Sequence, residues 1–122
     1  MELSKKEEEL MEIIWRLEHS FMKDILDEYS EPKPATTTVA TLLKRLQDKK
    51  FIDFETFGNS RRYFAKVKKD KYFSKQLKGL IENFFNNSAI QFASFFTSST
   101  NLTKKELEDL KKLVDKEIQK KD

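Results

Sequence analysis

Between Lys50 and Phe51 the spacing of apolar residues changes period, and that change restricts the chain more than any other feature. Upstream, three short stretches each carry a one-sided apolar stripe at helical spacing: Leu10, Ile13, Ile14 and Leu17, then Met22, Ile25, Leu26 and Tyr29, then Val39, Leu42, Leu43 and Leu46. Downstream, residues 51–56 and 61–67 are rich in aromatic and β-branched types, with Phe57-Gly58-Asn59-Ser60 as a turn, so they predict a β-hairpin. Ser4-x-x-Glu7 is a capping box opening a first helix over residues 5–18. His19-Ser20-Phe21 is long enough only for a strand stub. A second helix ends near Tyr29, and Ser30-Glu31-Pro32-Lys33-Pro34 breaks the pattern, because each Pro lacks an N–H and forces its predecessor into extended geometry. Pro34 lies near the first turn of the third helix. Helix, short strand, helix, turn, helix, hairpin within about 65 residues is the order of a winged helix-turn-helix.

Helical spacing returns at Asp70, with Phe73, Leu77, Leu80, Ile81 and Phe84 on one stripe and Tyr72 and Phe85 beside it. That helix stops at Asn86-Asn87. Ser88 can cap a fifth helix carrying Ile90, Phe92, Phe95 and Phe96, and Thr103-x-x-Glu106 is a second capping box before Leu107, Leu110, Leu113, Val114 and Ile118. The expected fold is mainly α: a winged helix-turn-helix over residues 1–69 for DNA, followed by a three-helix dimerisation segment over residues 70–122. About 50 residues is marginal for a self-sufficient core, so a second copy is the economical source of the missing apolar surface. The expected interface comprises Phe73, Leu77, Leu80, Ile81, Phe84, Phe85, Phe92, Phe95, Phe96, Leu107, Leu110 and Val114. Packing of these helices back onto the winged helix as one monomeric domain is the alternative.

Charge is segregated along the 122 residues. The net charge of +3 conceals a strongly basic middle, residues 32–78, between an acidic N-terminal part and a balanced C-terminal part. Such a middle suits a phosphate-facing surface, although solvated Lys-rich faces have the same composition. With no cysteine and one histidine, thiolate metal sites, Cys nucleophiles and His-based catalytic pairs are excluded, and no cofactor or metal is expected. No apolar run approaches the length of a membrane span and no signal-peptide pattern opens the chain, which predicts a cytoplasmic protein without membrane insertion.

With the Val39–Leu46 stripe turned to the core, the opposite face of the third helix carries Thr37, Thr41 and Lys44, flanked by Thr38, Ala40 and Arg45. Thr can hydrogen-bond base edges and offer its methyl to thymine, Ala permits close approach, and Lys and Arg reach phosphates or guanine acceptors. Thr36-Thr37-Thr38 is a poor helix-forming run, which argues against placement for stability alone, although it can also be read as a capping cluster on a solvated helix. Arg61 and Arg62, just past the hairpin turn, fit a wing that touches phosphate or the minor groove; otherwise they belong to an ordinary charged edge strand. Tyr63 and Phe64 point to opposite faces of that strand, so one of them is core. His19 reads as a surface residue at a helix terminus.

Several stretches resemble the penicillinase-repressor (BlaI/MecI/CopY) family of bacterial transcriptional regulators: residues 3–15 its opening helix, residues 38–46 its recognition helix with a T-hydrophobic-x-T-L-hydrophobic-x-R-L run, Tyr63-Phe64-Ala65 its wing and residues 102–110 its final helix. The resemblance covers essentially the whole chain. It implies a homodimer that occupies a palindromic operator on double-stranded DNA and blocks transcription, typically of antibiotic-resistance genes. It also implies, for the β-lactam branch, inactivation by a cut in the dimerisation region under control of a membrane-bound sensor protease. The relatives' cut falls at an Asn-Phe bond, whereas the matching place here is Phe95-Phe96. Copper-responsive members use a C-terminal cysteine cluster that this chain lacks.

Two other function classes compete. A winged helix that binds protein and never DNA would leave the Thr face and the two arginines incidental, and a missing salt dependence would support it. An enzyme such as a nuclease needs converging carboxylates, whereas Glu7, Glu8 and Glu9 spread round a helix expected to be solvated.

Overall fold

The computed structural model describes residues 3–121. In chain order the elements are α1 (Lys5–Leu17), β1 (His19–Phe21), α2 (Met22–Glu28), α3 (Thr36–Asp48), β2 (Ile52–Phe57), β3 (Ser60–Ala65), α4 (Lys69–Phe84), α5 (Ala89–Ser99) and α6 (Lys104–Lys120). The three strands form one antiparallel sheet in the order β1-β3-β2, with Ser20 opposite Tyr63 and Phe54 opposite Tyr63. The chain divides into two compact units between Ser74 and Lys75, inside α4.

The first unit has a hydrophobic core. Leu10, Met11, Ile14, Ile25, Val39, Leu43, Leu46 and Ile52 are buried, and Tyr63 and Tyr72 close its edge. Apart from Ile52 on β2, Tyr63 on β3 and Tyr72 on α4, these residues lie on the apolar faces of α1, α2 and α3, so the amphipathic pattern specifies which face of each of those helices turns inward. At the N-terminus of α1 the Ser4 hydroxyl accepts from the Glu7 amide at 3.2 Å and the Glu7 carboxylate accepts from the Ser4 amide at 2.7 Å, closing the predicted capping box. α3 stops where Lys50 takes a positive φ of 67°, and the Phe51 amide reaches back to the Leu46 carbonyl at 2.9 Å. The hairpin turn is tighter than the sequence suggests: Phe57 pairs with Ser60, leaving only Gly58 and Asn59 as loop. Gly58 has φ of +60°, the conformation for which glycine is favoured at the first position of a two-residue hairpin turn.

Two local expectations need correction. α3 begins at Thr36 with Ala35 as its N-cap, so Pro34 lies outside the helix and ends the preceding turn. Glu7 is not on a solvated face: it is 2 % exposed, because its carboxylate receives the Lys49 ammonium at 2.8 Å in addition to the Ser4 amide. That ion pair lies forty-two residues apart in sequence and leaves no local signature.

The second unit is built differently. α4 ends with Asn86 and Asn87 both at positive φ, Ser88 caps α5 by accepting from the Gln91 amide, and Thr103 and Glu106 form the capping box of α6. Phe85 packs against Phe92 and Phe95 at ring distances of 5.5 and 5.4 Å, and Phe92 stacks on Phe96 at 6.3 Å. Neither α5 nor α6 contains a single buried residue.

Candidate nucleic-acid interface

All but one of the thirteen residues of α3, the half-buried Gln47, are either buried or exposed. Val39, Leu42, Leu43 and Leu46 are buried, while Thr36, Thr37, Thr38, Ala40, Thr41, Lys44 and Arg45 are all exposed. Every residue that the sequence nominates for this surface therefore reaches solvent on one helix. Ala35 provides no side-chain cap, and none of the threonines serves as one, which disposes of the capping-cluster reading. A helix N-terminus lacking a side-chain cap presents first-turn N–H groups and the positive end of the helix dipole, which suits a phosphate oxygen.

Individual side chains on this face differ in what they have left to offer. The Thr41 hydroxyl donates to the Thr37 carbonyl at 3.0 Å, so toward the outside it retains acceptor capacity and its methyl group. Lys44 pairs with Asp48 at 2.9 Å, one turn on, with both ends in solvent. Such a pair is worth only about 0.3–0.5 kcal/mol, so the ammonium can exchange it for a phosphate. Arg45 forms no ion pair among the described residues.

The hairpin presents its two arginines on opposite faces. Arg61 lies over the Phe54 ring at 4.2 Å, is exposed and has no ion-pair partner among the described residues. Arg62 is more committed: its Nη2 meets the Glu55 carboxylate at 2.9 Å, its guanidinium lies 4.6 Å from the Phe57 ring centroid, and its Nε is buried without a hydrogen-bond partner. On the strand between them Tyr63 is buried and is the core aromatic, while Phe64 sits half-buried on the outer face with its ring 5.9 Å from His19. His19 is exposed and opens β1.

Behind this surface the titratable groups are structural. Burial pushes the Glu7 carboxyl up, but the hydrogen bonds from Lys49 and Ser4 outweigh it, and the group titrates below the ordinary glutamate range. Burial, assisted by the nearby Glu9 carboxylate, raises Tyr29. No cluster of His, Asp or Glu able to hold a metal ion occurs among the described residues, and no described helix is long and apolar enough to cross a membrane.

The sequence matches the penicillinase repressor family over residues 3–116. The chain belongs to that family. Its members are DNA-binding repressors and not enzymes. Among curated proteins the chain is similar to the methicillin resistance regulatory protein MecI of Staphylococcus aureus strain N315 and to that of Staphylococcus epidermidis, each at 27 % identity over 116 residues and 94 % of both chains. The MecI of Mammaliicoccus sciuri is 26 % identical over the same share. In a penicillinase-repressor chain, the apolar residues left uncovered on the second unit form the other surface of interest. Phe84 is 76 % exposed and Ile90 79 %, and Leu77, Leu80, Phe95, Leu107 and Val114 are each about half exposed. Ile81, Phe85, Phe92, Phe96 and Leu110 are half-buried. Phe73 differs from the rest of the expected interface: it falls in the first unit, where its ring lies 5.9 Å from Trp15 and 5.1 Å from Tyr72. The interface expectation did not include Ile90, Leu113 and Ile118, although they are exposed apolar residues at helical spacing.

Proposed function

We propose that this protein is a sequence-specific transcriptional repressor that binds a palindromic operator as a homodimer. One observation carries the reading: seven polar or small residues of α3, Thr36 to Arg45, are exposed together while the four apolar residues of the opposite face form core. In this reading Thr37, Thr41 and Lys44 face base edges, Thr36, Thr38, Ala40 and Arg45 flank them, and Arg61 and Arg62 hold the wing against the phosphate backbone. Arg61 is the more available phosphate contact of the two, since Arg62 is already engaged by Glu55.

We assign the second unit to dimerisation. A helix with many exposed large apolar residues and no buried one needs a partner surface, and a two-fold copy supplies it while presenting two recognition helices to half-sites a whole number of helical turns apart. The relatives named as methicillin resistance regulators favour antibiotic-resistance or related stress genes as targets, in the cytoplasm of a bacterium. If a membrane-bound sensor protease system controls this chain as in the β-lactam branch, the bond cut is Phe95–Phe96. Both residues are within α5, so cleavage requires that helix to unwind locally.

Selection of bound duplexes from a random DNA pool tests the proposal. An enriched inverted repeat is expected. Failure to enrich any duplex would overturn it and favour a winged helix that binds protein.

A further inference from the structure

Where the end of α1 meets β1 and β3, the first unit has an open cavity of about 640 Å³. All of its lining residues belong to that unit, and none comes from α3. Small-molecule sites have volumes of about 300–1,000 Å³ and are lined mostly by apolar and aromatic groups, with a few polar groups that fix orientation. Three rings wall this one: Trp15 from α1, and Phe64 and His19, whose rings lie 5.9 Å apart across the β1–β3 pairing. Trp15 is fixed in place, because its indole N–H donates to the Val67 carbonyl at 2.8 Å and its ring packs against Tyr72 and Phe73 at 6.0 and 5.9 Å. The wall therefore exists before any ligand arrives, and binding pays little to order it.

The charged residues of the lining differ in what already holds them. Lys69 pairs with Glu12 at 2.8 Å, and Arg16 pairs with Glu28, outside the cavity, at 2.9 Å. Lys68 and Glu18 are exposed and form no ion pair among the described residues. They stand at opposite ends of the aromatic wall. Lys68 follows Val67, which Trp15 holds, and its neighbour Lys69 reaches Glu12, about one turn before Trp15; Glu18 lies about one turn beyond Trp15, at the C-cap of α1.

We propose that this cavity is a binding site for an aromatic zwitterion: a flat ring system against Trp15, Phe64 and His19, with an anionic group at Lys68 and a cationic group at Glu18. A flat ring suits the walls because aromatic groups gain from offset or edge-on contact with one another. Opposite charges at the two ends complement both uncommitted side chains and fix the direction in which the ligand lies. Since those side chains are exposed, each charge contact is modest and the rings supply most of the binding. The inference stands independently of the operator reading, because the occupant touches no residue of α3.

The probe is 6-(aminomethyl)-2-naphthoate, compared with 2-naphthoate and 2-naphthylmethylamine, which carry one charge each. Binding to the whole chain is followed through the indole N–H resonance of Trp15, the only tryptophan, so contacts with apolar residues of the second unit do not enter the signal. The zwitterion is expected to shift that resonance saturably and to bind about fivefold more tightly than either singly charged molecule, the upper end of what one exposed ion pair contributes. Lys68→Glu should weaken the zwitterion and 2-naphthoate about tenfold, since a lost attraction is joined by a repulsion, and should not weaken 2-naphthylmethylamine. Glu18→Lys should weaken the zwitterion and the amine and spare 2-naphthoate. Lys23→Glu, an equal charge change on α2 outside the cavity, should leave all three within about twofold, and the thermal midpoint should hold in every variant. No saturable shift of Trp15 overturns the proposal, as does equal binding of the three molecules, which would mean that Lys68 and Glu18 are ordinary solvated charges. So does a loss in Lys23→Glu equal to that in Lys68→Glu, which would mean that only the overall charge of the protein is felt.

Discussion

Breaking the Glu7–Lys49 pair is the perturbation whose consequence follows most directly from the geometry. The Glu7 side chain is 3 % exposed and Lys49 28 %, with 2.8 Å between charges. Removing one partner of a fully buried ion pair costs about 3–5 kcal/mol, because the survivor remains desolvated. Here the ammonium end reaches water and the Ser4 amide still donates to the carboxylate, so the pair should couple by about 2 kcal/mol, below the fully buried range. A double-mutant cycle of Glu7→Gln and Lys49→Met isolates that term from whatever else either side chain does. The folded carboxyl titrates below its ordinary value of 4.5, so it releases its proton more readily than the unfolded one. Its stabilisation is therefore complete above that ordinary value and disappears as pH falls through the lowered folded value. The assay is urea denaturation followed by fluorescence of Trp15, the only tryptophan and a residue of the first unit, from about pH 7 to about pH 3. A coupling of about 2 kcal/mol near neutrality that fades in acid is expected. Zero coupling at neutral pH, or a coupling unchanged in acid, refutes the reasoning.

Three further outcomes are expected. Replacing Arg61 and Arg62 together with Ala should weaken binding to all duplexes and reduce the slope of log affinity against log salt by up to about two per bound chain, with most of the change already present in Arg61→Ala, as salt-dependent binding assays would show. Thr41→Val keeps the methyl and deletes the outward-facing acceptor, so it should relax preference at one base pair per half-site by about 1–3 kcal/mol without altering the salt slope, measured by competition between duplexes. Phe84→Asp on the uncovered apolar face should yield a monomer by light scattering while the Trp15 fluorescence and the thermal midpoint of the first unit stay near wild type.

Much of this was legible in the sequence for a definite reason. Periodicity reports which face of an element is apolar, and in α1, α2 and α3 that face meets the core of the first unit, so Leu10, Ile14, Val39 and Leu43 could be read as interior from spacing alone, whereas on β3 spacing left Tyr63 and Phe64 as alternatives. Caps at Ser4, Ser88 and Thr103 were equally readable because each is a contact over three residues. What spacing does not report is which partner a polar side chain finds across the fold. Glu7 looked like one more acid in a Glu-rich helix, and only its meeting with Lys49 makes it interior. Tyr72 likewise stood beside an apolar stripe with nothing to say that its hydroxyl would bridge Leu3 and Glu8. Arg61 and Arg62 are adjacent in sequence, but strand alternation sends them to opposite faces, where one keeps its charge free and the other spends it on Glu55.

The measurement that bears most directly on the account is the mass of the complex formed on the duplex selected from the random pool. Two chains on one inverted repeat, and loss of the two-chain complex in Phe84→Asp, are the results predicted. A single chain on the full repeat, or retention of the two-chain complex when the apolar face carries a charge, would contradict it.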